Sequence, residues 1–496
     1  MGGGGLPTRY PAPPLSDTSE VRGAPTLRGL SYSWDMARAG RRTRLDLDEL
    51  SRLVSSGDLH TVVLAACDMQ GRLQGKRCHA RYFLDEVVPH RAEACNYLLA
   101  VDVDMRTVDG YEMSSWERGY GDFVMRPDLS TLRLLPWHPG TALCLADLEW
   151  EDASPVVASP RQVLRAQLDR LSDLGWTAMA GTELEFIVYR DTYEQAWAKG
   201  YQGLVPANLY NVDYSILGTS RVEPLLLRIR TEMAGAGLEP ESAKGECNLG
   251  QHEIAFRYSD ALTTADNHAV YKLGAKEIAS QEGMSLTFMA KVDEREGNSC
   301  HIHLSLRDGA GAPVMAGDRP GGISVVFEHF VAGLLATLRE LTLFFAPNVN
   351  SYKRFRRDSF APTTVAWGRD NRTCALRVVG NGSSLRVENR VPGGDVNPYL
   401  ALAAMVAGGL HGVEHEMSLE PPVVGNAYAS ASASADALHI PPTLRDSYEL
   451  FEKSSTARHA FGDEVVEHYC NMARVELEAY DSAVTDWERF RGFERL

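Results

Sequence analysis

The chain has 496 residues, 44% hydrophobic and 23% charged, and its 66 Asp and Glu against 50 Lys and Arg give a formal charge of −16. That length buries a large core and suits two domains, while the acidic balance argues against nucleic acid or anionic membrane as a partner and favours small cationic molecules. No run approaches roughly 18 apolar residues and no signal-peptide apolar region opens the chain; with Cys67, Cys78, Cys95, Cys144, Cys247, Cys300, Cys374 and Cys470 free of paired metal-type spacing, a reducing, cytoplasmic location is expected.

In chain order, residues 1–44 are rich in Gly, Pro, Ser and Arg without an apolar period, which predicts a disordered extension. Met36, just before the first convincing helix at 45–53, is the expected natural start. An apolar strand at 61–67 runs through a turn at 68–72 into a second strand carrying Lys76 and Arg77. Ser159-Pro160 reads as an N-cap with proline at the first helical position, followed by the stripe Leu164, Leu168 and Leu171 and a closing Gly175. Further helices are expected at about 221–236, 264–282, 322–345 and 399–413, a hairpin turn at Asn381-Gly382, and a loop at the Ala/Ser-rich 429–435.

Between those helices, ionisable side chains recur at strand spacing. Glu183 and Glu185 alternate with Leu184 and Phe186, so the two acids share a face. Glu246 and Glu253 flank a turn containing Gly250; His301, His303 and Ser305 share one face of 300–306; and Arg386, Glu388 and Arg390 share one face of 385–390. Any one acidic pair is an ordinary solvated surface, but neighbouring carboxylates repel unless cations sit beside them, and the recurrence argues for a site. Carboxylates with imidazoles and no thiolate cluster suit Mg²⁺ or Mn²⁺, and the arginines imply phosphate.

The ordered series Gly181 to Phe186, Glu246 to Glu253, His301 to Ser305, Asn350-Ser351-Tyr352-Lys353-Arg354, Asp370-Asn371-Arg372-Thr373 and Arg386 to Leu400 resembles the glutamine synthetase family from about residue 45 onward. The resemblance implies an α+β chain: a β-grasp domain over 45–152, then a catalytic domain over 153–496 with a curved antiparallel sheet flanked by helices. It implies ATP as cosubstrate and two or three Mg²⁺ or Mn²⁺ ions, one held by Glu185, Glu246 and Glu253 and another by Glu183, His301 and Glu388. Arg372 and Arg390 would meet phosphoryl and carboxylate oxygens, Arg354 the α-carboxylate of glutamate, and Gly297 the glutamate pocket, while Glu241, His303, Ser305, Arg377 and Arg386 resemble nucleotide contacts. Asp109, in a loop at 108–116, resembles a residue that reaches a neighbouring subunit's site in a homododecamer with active sites at subunit borders.

Departures from the family point to the substrate. Where ammonia-using members carry a glutamate before Ala-Pro, this chain has Phe360 before Ala361-Pro362, and Glu296 and Asn298-Ser299 replace the usual neighbours of Gly297. An aromatic ring suits an alkyl amine. With the 367–373 segment, this looks like the branch that joins glutamate to polyamines or ethanolamine, and implies an ATP-dependent glutamate–amine ligase, with Asp109, Glu246 and Glu112 as candidate bases. Ordinary glutamine synthetase and a non-catalytic sensor or structural relative are the alternatives. Tyr428 lies near a tyrosine that some relatives nucleotidylate, but the surrounding Ala/Ser run departs from their pattern.

Overall fold

The structure, a computed structural model, describes residues 44–429 and 437–496. The expected extension, except Arg44, and the Met36 start lie outside the described residues, as does the 429–435 loop beyond Ala429. Arg44 bridges to Arg133.

The first helix, Leu47–Ser56, begins where the Asp46 side chain accepts the Glu49 N–H and ends at Gly57, whose φ of 80° suits glycine. A five-stranded sheet follows, of β1 (Thr61–Cys67), β2 (Leu73–His79), β3 (Ala92–Cys95), β4 (Asp122–Leu134) and β5 (Thr141–Glu149), in the order β2-β1-β5-β4-β3. β1 and β5 run parallel, and Val62 and Leu64 of β1 and Leu143 and Leu145 of β5 are buried.

The larger sheet is built from β6 (Trp176–Tyr189), β7 (Pro240–Gly245), β8 (Gln251–Phe256), β9 (Ser259–Asp260), β10 (Ser285–Thr287), β11 (Cys300–Asp308), β13 (Trp367–Arg369), β14 (Leu376–Val379) and β15 (Arg386–Asn389), with β12 (Ala316–Arg319) outside it. Its main path is β13-β14-β15-β11-β6-β8-β7, with β9 and β10 also paired to β6. All its pairings are antiparallel except β13 with β14.

Helix Ala261–Gln281 packs on β6, where Thr264 donates to the Ala180 carbonyl at 2.8 Å. Helix Pro398–Glu414 meets helix Val325–Thr337 so closely that a Cβ on Gly333 would stand 2.3 Å from the Gly408 carbonyl oxygen, which explains the small residues of that contact. Arg161, of helix Pro160–Asp173, ties the five-stranded sheet to helix Ala261–Gln281: its guanidinium meets Asp128 of β4 at 2.7 Å, Asp147 of β5 at 2.5 Å and Asp266 at 2.9 Å.

Two sequence expectations need correction. The helix expected over 322–345 is two pieces, Val325–Thr337 and Thr342–Phe345, and at the break Thr337 and Thr342 turn their hydroxyls back onto the carbonyls of Gly333 and Leu338. Asn381-Gly382 does join antiparallel strands, but through a longer connection containing the short 3₁₀ turn Gly382–Ser384, in which the Asn381 N–H donates to Ser384 Oγ at 3.1 Å.

Candidate active site

Strand register gathers the acidic residues. β6 projects Glu183 and Glu185 to one face while Leu184 and Phe186 turn into the core. Pairing then sets Glu253 of β8 opposite Glu185, His301 of β11 opposite Glu183, and Glu388 of β15 opposite His303. Glu246 comes from the turn between β7 and β8, which Gly250 allows at a φ of 73°; a Cβ there would lie 2.5 Å from the Val188 carbonyl oxygen.

The result is two adjacent groups. Carboxylate oxygens of Glu185, Glu246 and Glu253 lie within 4.8 Å of one another, as do ligand atoms of Glu183, His303 and Glu388. His301 Nδ1 stands 3.2 Å from Glu183 and 3.7 Å from Glu388, and His303 Nε2 2.9 Å from Glu183. Both imidazoles therefore face Glu183, and the division of His301 to metal and His303 to nucleotide is not a division in space.

The electrostatics of the groups differ. In the first, burial and then Glu246 push the Glu185 carboxyl up to about 7, against the pull of the Ser299 N–H. Burial likewise raises Glu246, and raises Glu253 well above the usual carboxylate range. In the second, burial works against ionisation of Glu183 and Glu388, but His301 and His303 around Glu183, and His301 and Arg390 around Glu388, hold both below that range. Burial and then Arg390 lower His301 to about 4, a shift toward the neutral imidazole, the form that binds a metal. Converging hard oxygens that oppose their own ionisation are the donor set a divalent cation relieves, so these residues fit Mg²⁺ or Mn²⁺.

Arginines and the remaining expected residues distribute unevenly. Arg390 is ion-paired to Glu388, and Arg377 bridges Glu388 at 2.8 Å and Asp370 at 2.5 Å. Arg386 Nε donates to His303 Nδ1 at 3.2 Å, and Ser305 follows on the same strand face. Arg354 is 2% exposed, with its guanidinium already donating to the Val391 carbonyl at 2.9 Å and Ser299 Oγ at 2.8 Å; to hold a substrate carboxylate it must exchange one of these. Gly297 has no room for a side chain, since a Cβ would lie 2.2 Å from the Ala290 carbonyl oxygen and 2.7 Å from Arg354 Cγ.

Three expected residues stand outside this cluster. Arg372 is exposed in a depression of about 400 Å³ with Arg369, Asp370, Asn371 and residues 422–425. Glu241 is exposed at a bulge in β7. Asp109 is exposed, its backbone carbonyl accepting from Asn471 at 3.0 Å, and no hydrogen bond or ion pair among the described residues joins its carboxylate to either group. Phe360 has a φ of 57° and is 56% exposed, while the Tyr428 hydroxyl donates to the Ala361 carbonyl at 2.8 Å and anchors that turn.

Sequence reasoning passed over three contacts. Ser299 N–H and Gln251 Nε2 donate to Glu185 Oε2 at 2.7 Å and 3.0 Å. The Lys244 ammonium contacts Glu246; burial alone would lower it, but Glu253, Glu246 and Glu185 outweigh that and hold it above the usual lysine range. Lys244 two residues before Glu246 was the available signal, a cation beside the acid in the chain; its place opposite Glu253 is set by the pairing of β7 with β8.

Comparisons with known proteins show the family. Residues 157–491 match the family model described as glutamine synthetase, catalytic domain. The chain is 68% identical to a gamma-glutamylethanolamide synthetase of Streptomyces coelicolor, covering 92% of this chain and 98% of that protein. It is 38% identical to a glutamate–isopropylamine ligase of Pseudomonas sp, covering 88% and 96% respectively. Among solved structures, a GmaS/ADP complex superposes with a TM-score of 0.79 at 27% identity, covering 90% of this chain and 99% of that one. No helix among the described residues is long and apolar enough to cross a membrane. With the family model matching two-thirds of its length and a relative of this similarity spanning nearly all of it, the chain belongs to the glutamine synthetase family.

Proposed function

We propose that this protein is an ATP-dependent ligase that joins the γ-carboxylate of glutamate to a small primary amine. The observation that carries the reading is the convergence of Glu185, Glu246 and Glu253 beside Glu183, His303 and Glu388 on one sheet face. Activating a carboxylate with ATP brings two anions together, and cations held by such a site would lower that repulsion. Two or three Mg²⁺ or Mn²⁺ ions held by these residues and His301 would neutralise the nucleotide phosphates. Phe360 in place of an acid, and relatives named for ethanolamide and isopropylamine, favour an alkyl amine over ammonia.

A γ-carboxylate oxygen attacks the γ-phosphorus of ATP, the bond to the bridging oxygen breaks, and ADP leaves with the electron pair. The neutral amine nitrogen then attacks the acyl carbon, phosphate leaves with the C–O electrons, and the nitrogen gives up a proton to a carboxylate base, for which Asp109, Glu246 and Glu112 are the candidates. In this reading Arg390 and Arg372 meet phosphoryl oxygens, Arg354 and Gly297 shape the glutamate pocket, and Glu241, His303, Ser305, Arg377 and Arg386 hold the nucleotide. Asp109 serves a neighbouring subunit of a homododecamer, the domains being 45–152 and 153–496.

The test is ADP release with glutamate and a panel of amines. Faster release with ethanolamine, a polyamine or another alkyl amine than with ammonia supports the ligase. Equal or better turnover with ammonia makes it an ordinary glutamine synthetase, and no amine-dependent release together with no Mg²⁺-dependent ATP binding makes it a non-catalytic relative.

A further inference from the structure

Lys244 stands opposite Glu253 in the pairing of β7 with β8 and two residues before Glu246. Its ammonium contacts Glu246 directly, lies 4.0 Å from Glu253, and sits 5.0 Å from the centroid of the Tyr214 ring. The Tyr214 loop is fitted against the same strand: the Tyr214 N–H donates to the Gly245 carbonyl at 3.4 Å, and a Cβ on Gly245 would lie 2.3 Å from the Val212 carbonyl oxygen. The side chain is therefore directed into the carboxylate group from two sides, by strand register and by an aromatic face.

That position has a consequence for charge. Three ionised carboxylates confined within 4.8 Å, two of them buried, repel strongly without a cation between them. Lys244 removes one unit of that excess, but it does so by engaging a Glu246 oxygen that a divalent ion would also need. A flexible, strongly hydrated ammonium is suited to leave when a doubly charged ion arrives. We propose that Lys244 is a built-in counter-cation of the Glu185, Glu246 and Glu253 group, holding the carboxylates together before metal enters and lifting off Glu246 on loading, so that it sets the group's affinity for divalent cations. This rests on the reading of those three acids as cation ligands.

The experiment measures Mn²⁺ binding by calorimetry and electron paramagnetic resonance on the full chain without nucleotide, together with the melting temperature in EDTA. Lys244→Met keeps the stem and removes the charge: it is expected to bind Mn²⁺ at least about tenfold tighter than wild type, to melt lower in EDTA, and to gain more from added Mn²⁺. Lys244→Arg should stay near wild type. Should Lys244→Met not fold in EDTA, Tyr214→Leu keeps the charge but removes the ring beneath it, and a gain of about two- to threefold in Mn²⁺ affinity is expected. Unchanged or weaker Mn²⁺ binding in Lys244→Met, or in Tyr214→Leu where that variant stands in, overturns the proposal. Glu253→Gln separates the two ideas: if it leaves wild-type Mn²⁺ binding intact, the ligand reading itself falls.

Discussion

Arg390 and Glu388 form an ion pair sealed from solvent, with Glu388 0% and Arg390 4% exposed. Arg377 reaches the other Glu388 oxygen at 2.8 Å, so one buried carboxylate holds two guanidinium groups in place. Removing one partner of a buried pair typically costs about 3–5 kcal/mol because the other charge is stranded. Glu388→Leu should therefore lower stability to urea by an amount of that order. Arg390→Lys keeps the charge but loses the planar fork; it should fold, with kcat reduced about 100-fold or more. Near-wild-type turnover of Arg390→Lys would separate this residue from the chemistry.

Phe360 combines two properties that mutation can pull apart. Its φ of 57° is a region a bulky side chain occupies at a cost of about 1 kcal/mol, and its ring is more than half exposed at the turn anchored by Tyr428. Phe360→Asn relieves the backbone while removing the ring. It is expected to leave the melting temperature equal or slightly higher and to weaken selectivity for alkyl amines. Phe360→Glu should raise ammonia use relative to alkyl amines; an unchanged amine preference in steady-state kinetics would count against the assignment.

Metal removal should be visible without turnover. The raised Glu185, Glu246 and Glu253 carboxyls mark a buried group whose negative charge Lys244 only partly offsets. Mg²⁺ or Mn²⁺ at about 100 times its dissociation constant is expected to add roughly 2.7 kcal/mol of stability, read as a rise in melting temperature that EDTA reverses. Glu253→Gln should shrink that rise, and an equal rise in the variant would locate the stabilising cation elsewhere.

Acid should destabilise the fold through buried histidines. Burial lowers His468 to about 3 and His252 to about 4, from 6.5. Both folded values lie below the unfolded one, so the unfolded chain binds more protons between them. Their contribution is present above about pH 6.5 and is lost as pH falls toward 3–4. His468, against Tyr111 at a ring separation of 4.6 Å, is the more informative site. His468→Phe should flatten the fall in melting temperature between pH 6 and pH 4; a curve parallel to wild type would assign the acid limb to other groups.

Much of the site was legible because strand alternation is local. A period of two put Glu183 with Glu185 and His301 with His303 on common faces, and the helix at 160–173 announced itself through Pro at its first turn and an apolar stripe. The residue types alone also excluded a thiolate site and pointed to a hard cation. Which acid faces which was another matter. Glu253 opposite Glu185 and His301 opposite Glu183 are facts of register between strands far apart in the chain, and register is set by the packing of both sheet faces. The same holds for Lys244 entering the carboxylate group, for the enclosure of Arg354, and for Asp109 lying apart from both groups. Sequence determined what chemistry the side chains offer and which way each strand turns them; tertiary structure decided their partners, because charges act through distances that only the folded chain creates.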